Sequence, residues 1–299
     1  MVAGLQVETQ KQEVEKLGNS KEDIGTAFEG TSTRFMRMFG KEGQQVQPVG
    51  VKLVQKGQAV PMGTRAPEEY QGVPWCEAVR LAAMEGEVVV INRENVGCPA
   101  AAIALGLVDE QEGKSLAGTR KYTDMMETAA SPADFTGGLV YACKASGNMQ
   151  FALFGEDDTG RYETHGAALN AISGMMSIQP AIMDAAVAYP AGKLQVVPDL
   201  VILGLLPKQV LLAIQGYNFL TGNRFEMNTI GIRGVCADLT AQPYLEQKLN
   251  GSFFCLGARA VGGWGGNMMG LGMPFSVFRA MVVGMERSAG GFPYQAYPD

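Results

Sequence analysis

The run DLVILGLL at residues 199–206 carries no charged or polar side chain after its first, and Pro207 follows at once, opening PKQVLLAIQGYNFLTG. A strand with no polar alternation is covered on both faces, and proline suits the first turn of a helix. The chain must therefore build layers, with a sheet whose two sides are both packed, which predicts an α+β fold of mixed α/β layers. The strand-to-helix connection LLPKQV contains neither G-x-G-x-x-G nor G-K-[ST]. Dinucleotide or P-loop binding at this junction is disfavoured.

Other elements follow from local chemistry. PVGVKLVQKG reads as a strand beginning after Pro48, and AVPMGTRAPEEYQG as a loop. EAVRLAAME is a helix closed by Gly86, EVVVI a short buried strand, and NRENVG a turn leading to the helix PAAAIALGL, with Pro99 in its first turn. Upstream, Phe28, Phe35, Met36 and Phe39 form a stripe expected to pack onto the body. GGLVYACKA and NMQFALFG read as two strands around Ser146, Gly147 and Asn148. ALNAISGMMSIQPAIMDAAVAYP divides into two short pieces at Pro180, and a short β-like run precedes Cys236. MPFSVFRAMVVGME is a helix, and the aromatic tail after it needs a surface to cover, for which a neighbouring subunit is expected. The expected organisation is a helical N-terminal extension over 1–45, one mixed α/β domain over 46–285, with a division into lobes near 190 as an alternative, and a tail over 286–299.

Hydrophobic residues make up 46% of the chain and charged residues 18%, an apolar balance that suits wide buried interfaces and a homo-oligomer. A net charge of -6 with no basic run argues against nucleic acid as a partner. The N-terminus lacks the basic start and apolar core of a signal peptide, and no window reaches about 18 uninterrupted apolar residues. A cytoplasmic protein without a membrane partner is expected.

Five cysteines in a chain without an export signal are expected to be reduced thiols or metal ligands, not a disulfide framework. Cys76 precedes EAVRLAAME and Cys98 precedes Pro99, so both fall where helices start. Helix-end polarity is expected to lower their pKa and favour thiolate. Cys236 and Cys255 lie in a glycine- and methionine-rich region, and Cys143 lies inside a strand, where a small buried apolar role fits it. The single histidine, His165, is in a polar loop. A thiol enzyme using Cys76 or Cys98 as nucleophile would depend on His165 as base, since no second histidine exists.

Six blocks in order, PVGVKLV, WCEAVRLA, GCPAAAIALGL, PDLVILGLLPKQVLLAIQ, GVCADL and CLGAR, resemble domain-of-unknown-function family 169, the uncharacterised ArCR family, over about residues 46–280. The resemblance implies four family cysteines, at Cys76, Cys98, Cys236 and Cys255, with no counterpart for Cys143 and no established reaction. Four thiolates can hold an iron–sulfur cluster, 4Fe–4S foremost, or zinc. No C-x-x-C spacing is present, so each ligand would come from a separate helix head or loop. Arg80 and Arg259, each four positions after a cysteine, are expected as charge partners around a negative cluster, with backbone N–H groups of Gly262–Gly266 beside them. A redox partner or a small molecule would then be the counterpart in function. The alternative is a metal-free small-molecule-binding or scaffold protein with buried cysteines.

Overall fold

In the computed structural model of the chain, residues 24–40, 47–64, 72–109 and 174–289 are described. Six strands form one antiparallel sheet: β1 (Val49–Gln55), β2 (Val89–Asn92), β3 (Met183–Pro190), β4 (Leu200–Leu205), β5 (Asn250–Ser252) and β6 (Met269–Pro274). Their order across the sheet is β2-β3-β1-β4-β6-β5. The unbroken apolar run is β4, held near the centre by β1, with Val49 opposite Ile202, and by β6, with Leu203 opposite Leu271. Seven α-helices are described: α1 (Ile24–Arg37), α2 (Trp75–Arg80), α3 (Pro99–Ala104), α4 (Pro207–Thr221), α5 (Gln242–Glu246), α6 (Leu256–Ala260) and α7 (Phe275–Ser288). Two π-helical segments join them, Leu81–Glu85 running on from α2 and Gly234–Ala241 running into α5. The fold is mixed α+β, as expected from β4.

Both sheet faces are packed. Val187, Tyr189, Val201, Leu203, Leu205, Leu271 and Met273 share a core with residues of α1, α4 and α7. Phe28 of α1 meets Tyr189 and Phe275 edge-on, each at 5.8 Å, while Phe35 meets Phe278 at 5.4 Å. The aromatic stripe of the N-terminal helix is thus spent on the core, at about 1.5–3 kcal/mol for each ring fully removed from water. On the opposite face Val49, Val51, Leu53, Ala186, Ala188, Leu200 and Ile202 pack against α2, α3 and the segment Gly234–Ala241. That second helical layer carries the four cysteines. It lies unusually close to β6, because a Cβ on Gly272 would collide with the backbone of Leu239.

Helix ends follow their sequence signals. Gly86 and Gly222 cap their helices in the left-handed region, with φ of 72° and 67°, which costs a residue without Cβ little. Pro207 stands in the first turn of α4, where the Gln209 side chain accepts a hydrogen bond from the Leu206 N–H at 2.8 Å. One segment takes a form that the residues left open, and one departs from expectation. The second half of the Pro180 segment is the strand β3, which pairs with both β1 and β2 despite its alanines. The run before Cys236 is not a strand: residues 222–230 have no regular structure, and Arg233 at φ 54°, ψ 37° starts the π-helical segment instead. Cys143, His165 and the expected hairpin around Ser146–Asn148 lie outside the described residues, as do 1–23, 110–173 and 290–299. No helix among the described residues is long and apolar enough to cross a membrane.

Candidate functional site

Each of the four described cysteines stands within the first turn of a helical segment. Cys98 is the N-cap of α3 and Cys255 the N-cap of α6, Cys76 is the second residue of α2, and Cys236 is the third of Gly234–Ala241. Local chemistry sets up these starts. Pro74 at φ -72°, ψ 151° holds extended backbone ahead of α2, and Pro99 opens α3. The two leading turns are tied together: Gly97 N donates to Val73 O at 3.0 Å, and Gly72 N to Asn95 O at 2.9 Å. Asn95, buried, organises the turn by accepting from Asn92 N and donating to Val90 O.

Tertiary contacts bring the remaining segments to the same place. Trp75 Nε1 donates to Thr240 Oγ1 at 2.9 Å, and Thr240 Oγ1 donates to Val235 O, linking the Cys76 helix to the Cys236 segment. Trp264, stacked on Phe254, donates to Cys76 O at 2.8 Å and fastens the region after α6 to α2. Glycine permits two of the close approaches. A Cβ on Gly262 would come within 2.9 Å of Cys76 Sγ, and one on Gly234 would meet the Cys255 backbone at 2.7 Å.

The result is one cavity of about 50 Å³ lined by all four cysteines, with Pro74, Trp75, Ala100, Ala101, Ile232, Val235, Gly257 and Val261 supplying its apolar wall. Cys236 is buried and the other three are half-buried. The sulfurs sense one another. Burial pushes the Cys76 thiol well above its ordinary value, and the charges of Cys255, Cys98 and Cys236 push it further. Burial likewise raises Cys98 and, more strongly, Cys236. This corrects the expectation of activated thiolates at helix starts. Backbone N–H groups of Glu77 at Cys76, and of Ala101 and Ala100 at Cys98, do favour the thiolate, but loss of water outweighs them. Among the described residues no group of three or more cysteine, histidine, aspartate or glutamate side chains comes together as the ligands of a metal ion. The thiols ring a cavity; they do not enclose a point.

The arginines are distributed differently from the sequence expectation. Arg80 is paired with Glu85 at 2.8 Å, and Arg259 donates to the carbonyls of Gly265, Phe253 and Met268 while lying over the Phe254 ring. Neither is among the residues lining the cavity. Arg233 is, and it is buried; its charge acts on both Cys98 and Cys236 in favour of the thiolate. Choosing arginines one helical turn after a cysteine overlooked it, because Arg233 precedes Cys236 by three positions. Its one local signal is its place between glycines in GIRG.

A family model described as uncharacterised ArCR, domain-of-unknown-function family 169, matches residues 42–284. The chain belongs to the ArCR family. All four cavity cysteines fall inside the matched region, and so does Arg233. The aromatic helix α1 falls before it, although its rings are part of the same core. No curated protein and no solved structure matches the chain.

Proposed function

We propose that this ArCR protein is a cytoplasmic cysteine-ligated metalloprotein in which Cys76, Cys98, Cys236 and Cys255 hold an iron–sulfur cluster of the 4Fe–4S type, with a redox or small-molecule-binding role. One observation carries the reading: four thiols from four separate segments line one cavity. Four thiols that arrive from four separate segments could serve a cluster with one at each iron. A tetrahedral zinc with bonds of about 2.3 Å would hold its sulfurs about 3.8 Å apart, whereas a four-iron cluster takes one thiolate at each of four separated irons. When bound, such a cluster would supply one-electron chemistry. The protein's own contribution is a largely apolar wall and helix starts whose N–H groups face the sulfurs.

The same apolar wall favours a second reading, a metal-free pocket for a small molecule with its cysteines buried in the wall. A nucleophilic cysteine gains no support, since burial holds Cys76, Cys98 and Cys236 in the thiol form.

Anaerobic purification after iron-replete expression separates the readings. The cluster reading expects iron and acid-labile sulfide with broad visible absorbance that dithionite bleaches. Serine at Cys76, Cys98, Cys236 or Cys255 singly should remove most of the iron, and Cys143→Ser should not. Colourless protein free of iron and sulfide under these conditions would leave the metal-free pocket as the function of the cavity.

A further inference from the structure

Arg233 is 7% exposed, and among the described residues it forms no ion pair. Nη1 meets Ser177 Oγ at 3.4 Å, a neutral partner, while Nε and Nη2 are sealed in without an acceptor. A guanidinium does not give up its proton inside a protein, so this is a buried positive charge with nothing to balance it. Such a charge is strongly destabilising. The buried carboxyl of Asp238, on the same π-helical segment, is committed elsewhere, to Thr229 and Ser252. What shares a wall with Arg233 is the set of four cysteines. As thiols they are uncharged and leave the cation unbalanced; as metal-bound thiolates they carry the opposite charge.

We infer that Arg233 is the built-in counter-charge of the cysteine site, which holds metal as a thiolate centre of net negative charge. The inference rests on the reading that the four cysteines bind metal, and adds the residue that sets the charge the site tolerates. No atom of the centre has to touch the guanidinium. Apart from the cysteines the wall is apolar and carries no other charge, so the field of Arg233 reaches the sulfurs weakly screened. The same field favours the thiolate at Cys98 and Cys236. Arginine suits the position better than lysine, because a buried ammonium sheds its proton and with it the charge. In the metal-free protein the unbalanced cation is a liability, and so is its left-handed backbone at φ 54°. Stability is given up at this residue for the loaded state.

The test compares full-length wild type with Arg233→Met and Arg233→Gln, two uncharged variants of different polarity, so that one can stand in if the other fails to fold. Chelator-treated, reduced protein is titrated with Cd2+, a thiolate-seeking ion, and unfolded in urea without metal. Both variants should bind Cd2+ about tenfold or more weakly than wild type, yet unfold at a urea concentration no lower than wild type. A merely structural arginine would lower the urea midpoint on removal, so a lower midpoint in both variants overturns the inference. Equal Cd2+ affinity in a folded variant overturns it too. Where anaerobic purification yields the iron–sulfur cluster, its midpoint potential should fall in the variants, by about 59 mV for each tenfold change in the one-electron equilibrium. A cluster whose potential does not move overturns the inference and leaves the cluster reading standing. Wild type that binds Cd2+ but never iron and sulfide ends the cluster reading, and the Cd2+ comparison still decides the role of Arg233. Wild type that takes up neither has no negative centre to balance, which overturns both.

Discussion

Asp238 shows how the cysteine layer handles a charge it cannot hydrate. The carboxyl group is buried, with Thr229 Oγ1 donating to its Oδ2 at 2.6 Å and Ser252 Oγ at 3.0 Å. Burial raises its pKa to about 7 against those two bonds, which act the other way. Because the folded state holds the proton more tightly than the unfolded state, the stabilisation is fully present below about pH 4 and is lost as pH rises through about 7. In the metal-free protein, urea unfolding should therefore show stability falling across this window, by up to about 1.4 kcal/mol per pH unit from this group. Asp238→Asn, neutral throughout and still able to accept from Thr229 and Ser252, should flatten that part of the profile. An unchanged slope would place the titration elsewhere. Trp75 offers a second residue-scale test. Trp75→Phe keeps most of the ring but loses the bond to Thr240, and should cost about 0.5–1.5 kcal/mol in the same unfolding assay.

Among the elements, β6 is the one whose composition and position disagree most. MGLGMP has two glycines and reads poorly as a strand, yet it pairs with β4 along six residues and with β5 on its other side. The reason lies outside the strand. The segment Gly234–Ala241, which carries Cys236, rests its Leu239 backbone on Gly272 and its Leu239 side chain on Gly270. Gly272→Val should force the two layers apart and destabilise the fold by about 1–3 kcal/mol, measured by denaturant unfolding. Gly266→Ala, where an added Cβ meets nothing within 4 Å, is the matched control and should stay within about 0.5 kcal/mol of wild type. β3 makes the same point in reverse. Its alanines have little strand preference, but between β1 and β2 they are small enough for both covering layers to close on the sheet.

At the scale of the molecule, the sheet is a partition. One side is a sealed hydrophobic layer built from α1, α4 and α7; the other is the layer whose helix starts surround the cavity. The helix α1 precedes the region shared with the ArCR family, yet Phe35 is fully buried between Phe39 and Phe278. Phe35→Ala should cost about 3–5 kcal/mol by chemical denaturation; a loss below about 1 kcal/mol would show that α1 is peripheral to the core. Much of this plan was legible in the residues. The unalternating β4 required cover on both faces, Pro99, Pro207 and Gly86 marked helix ends, and the cysteines at helix starts singled out Cys76 and Cys98. These are local properties, set by backbone sterics and by which side chains avoid water, and a sequence carries them openly. What the residues alone did not contain was proximity. That four cysteines line one cavity, that burial there overrides the helix ends and raises the pKa of Cys76, Cys98 and Cys236, and that Arg233 rather than Arg80 or Arg259 stands on its wall, all depend on segments far apart in the chain meeting across the sheet. Desolvation is a property of the assembled surroundings, so only the tertiary structure decided it.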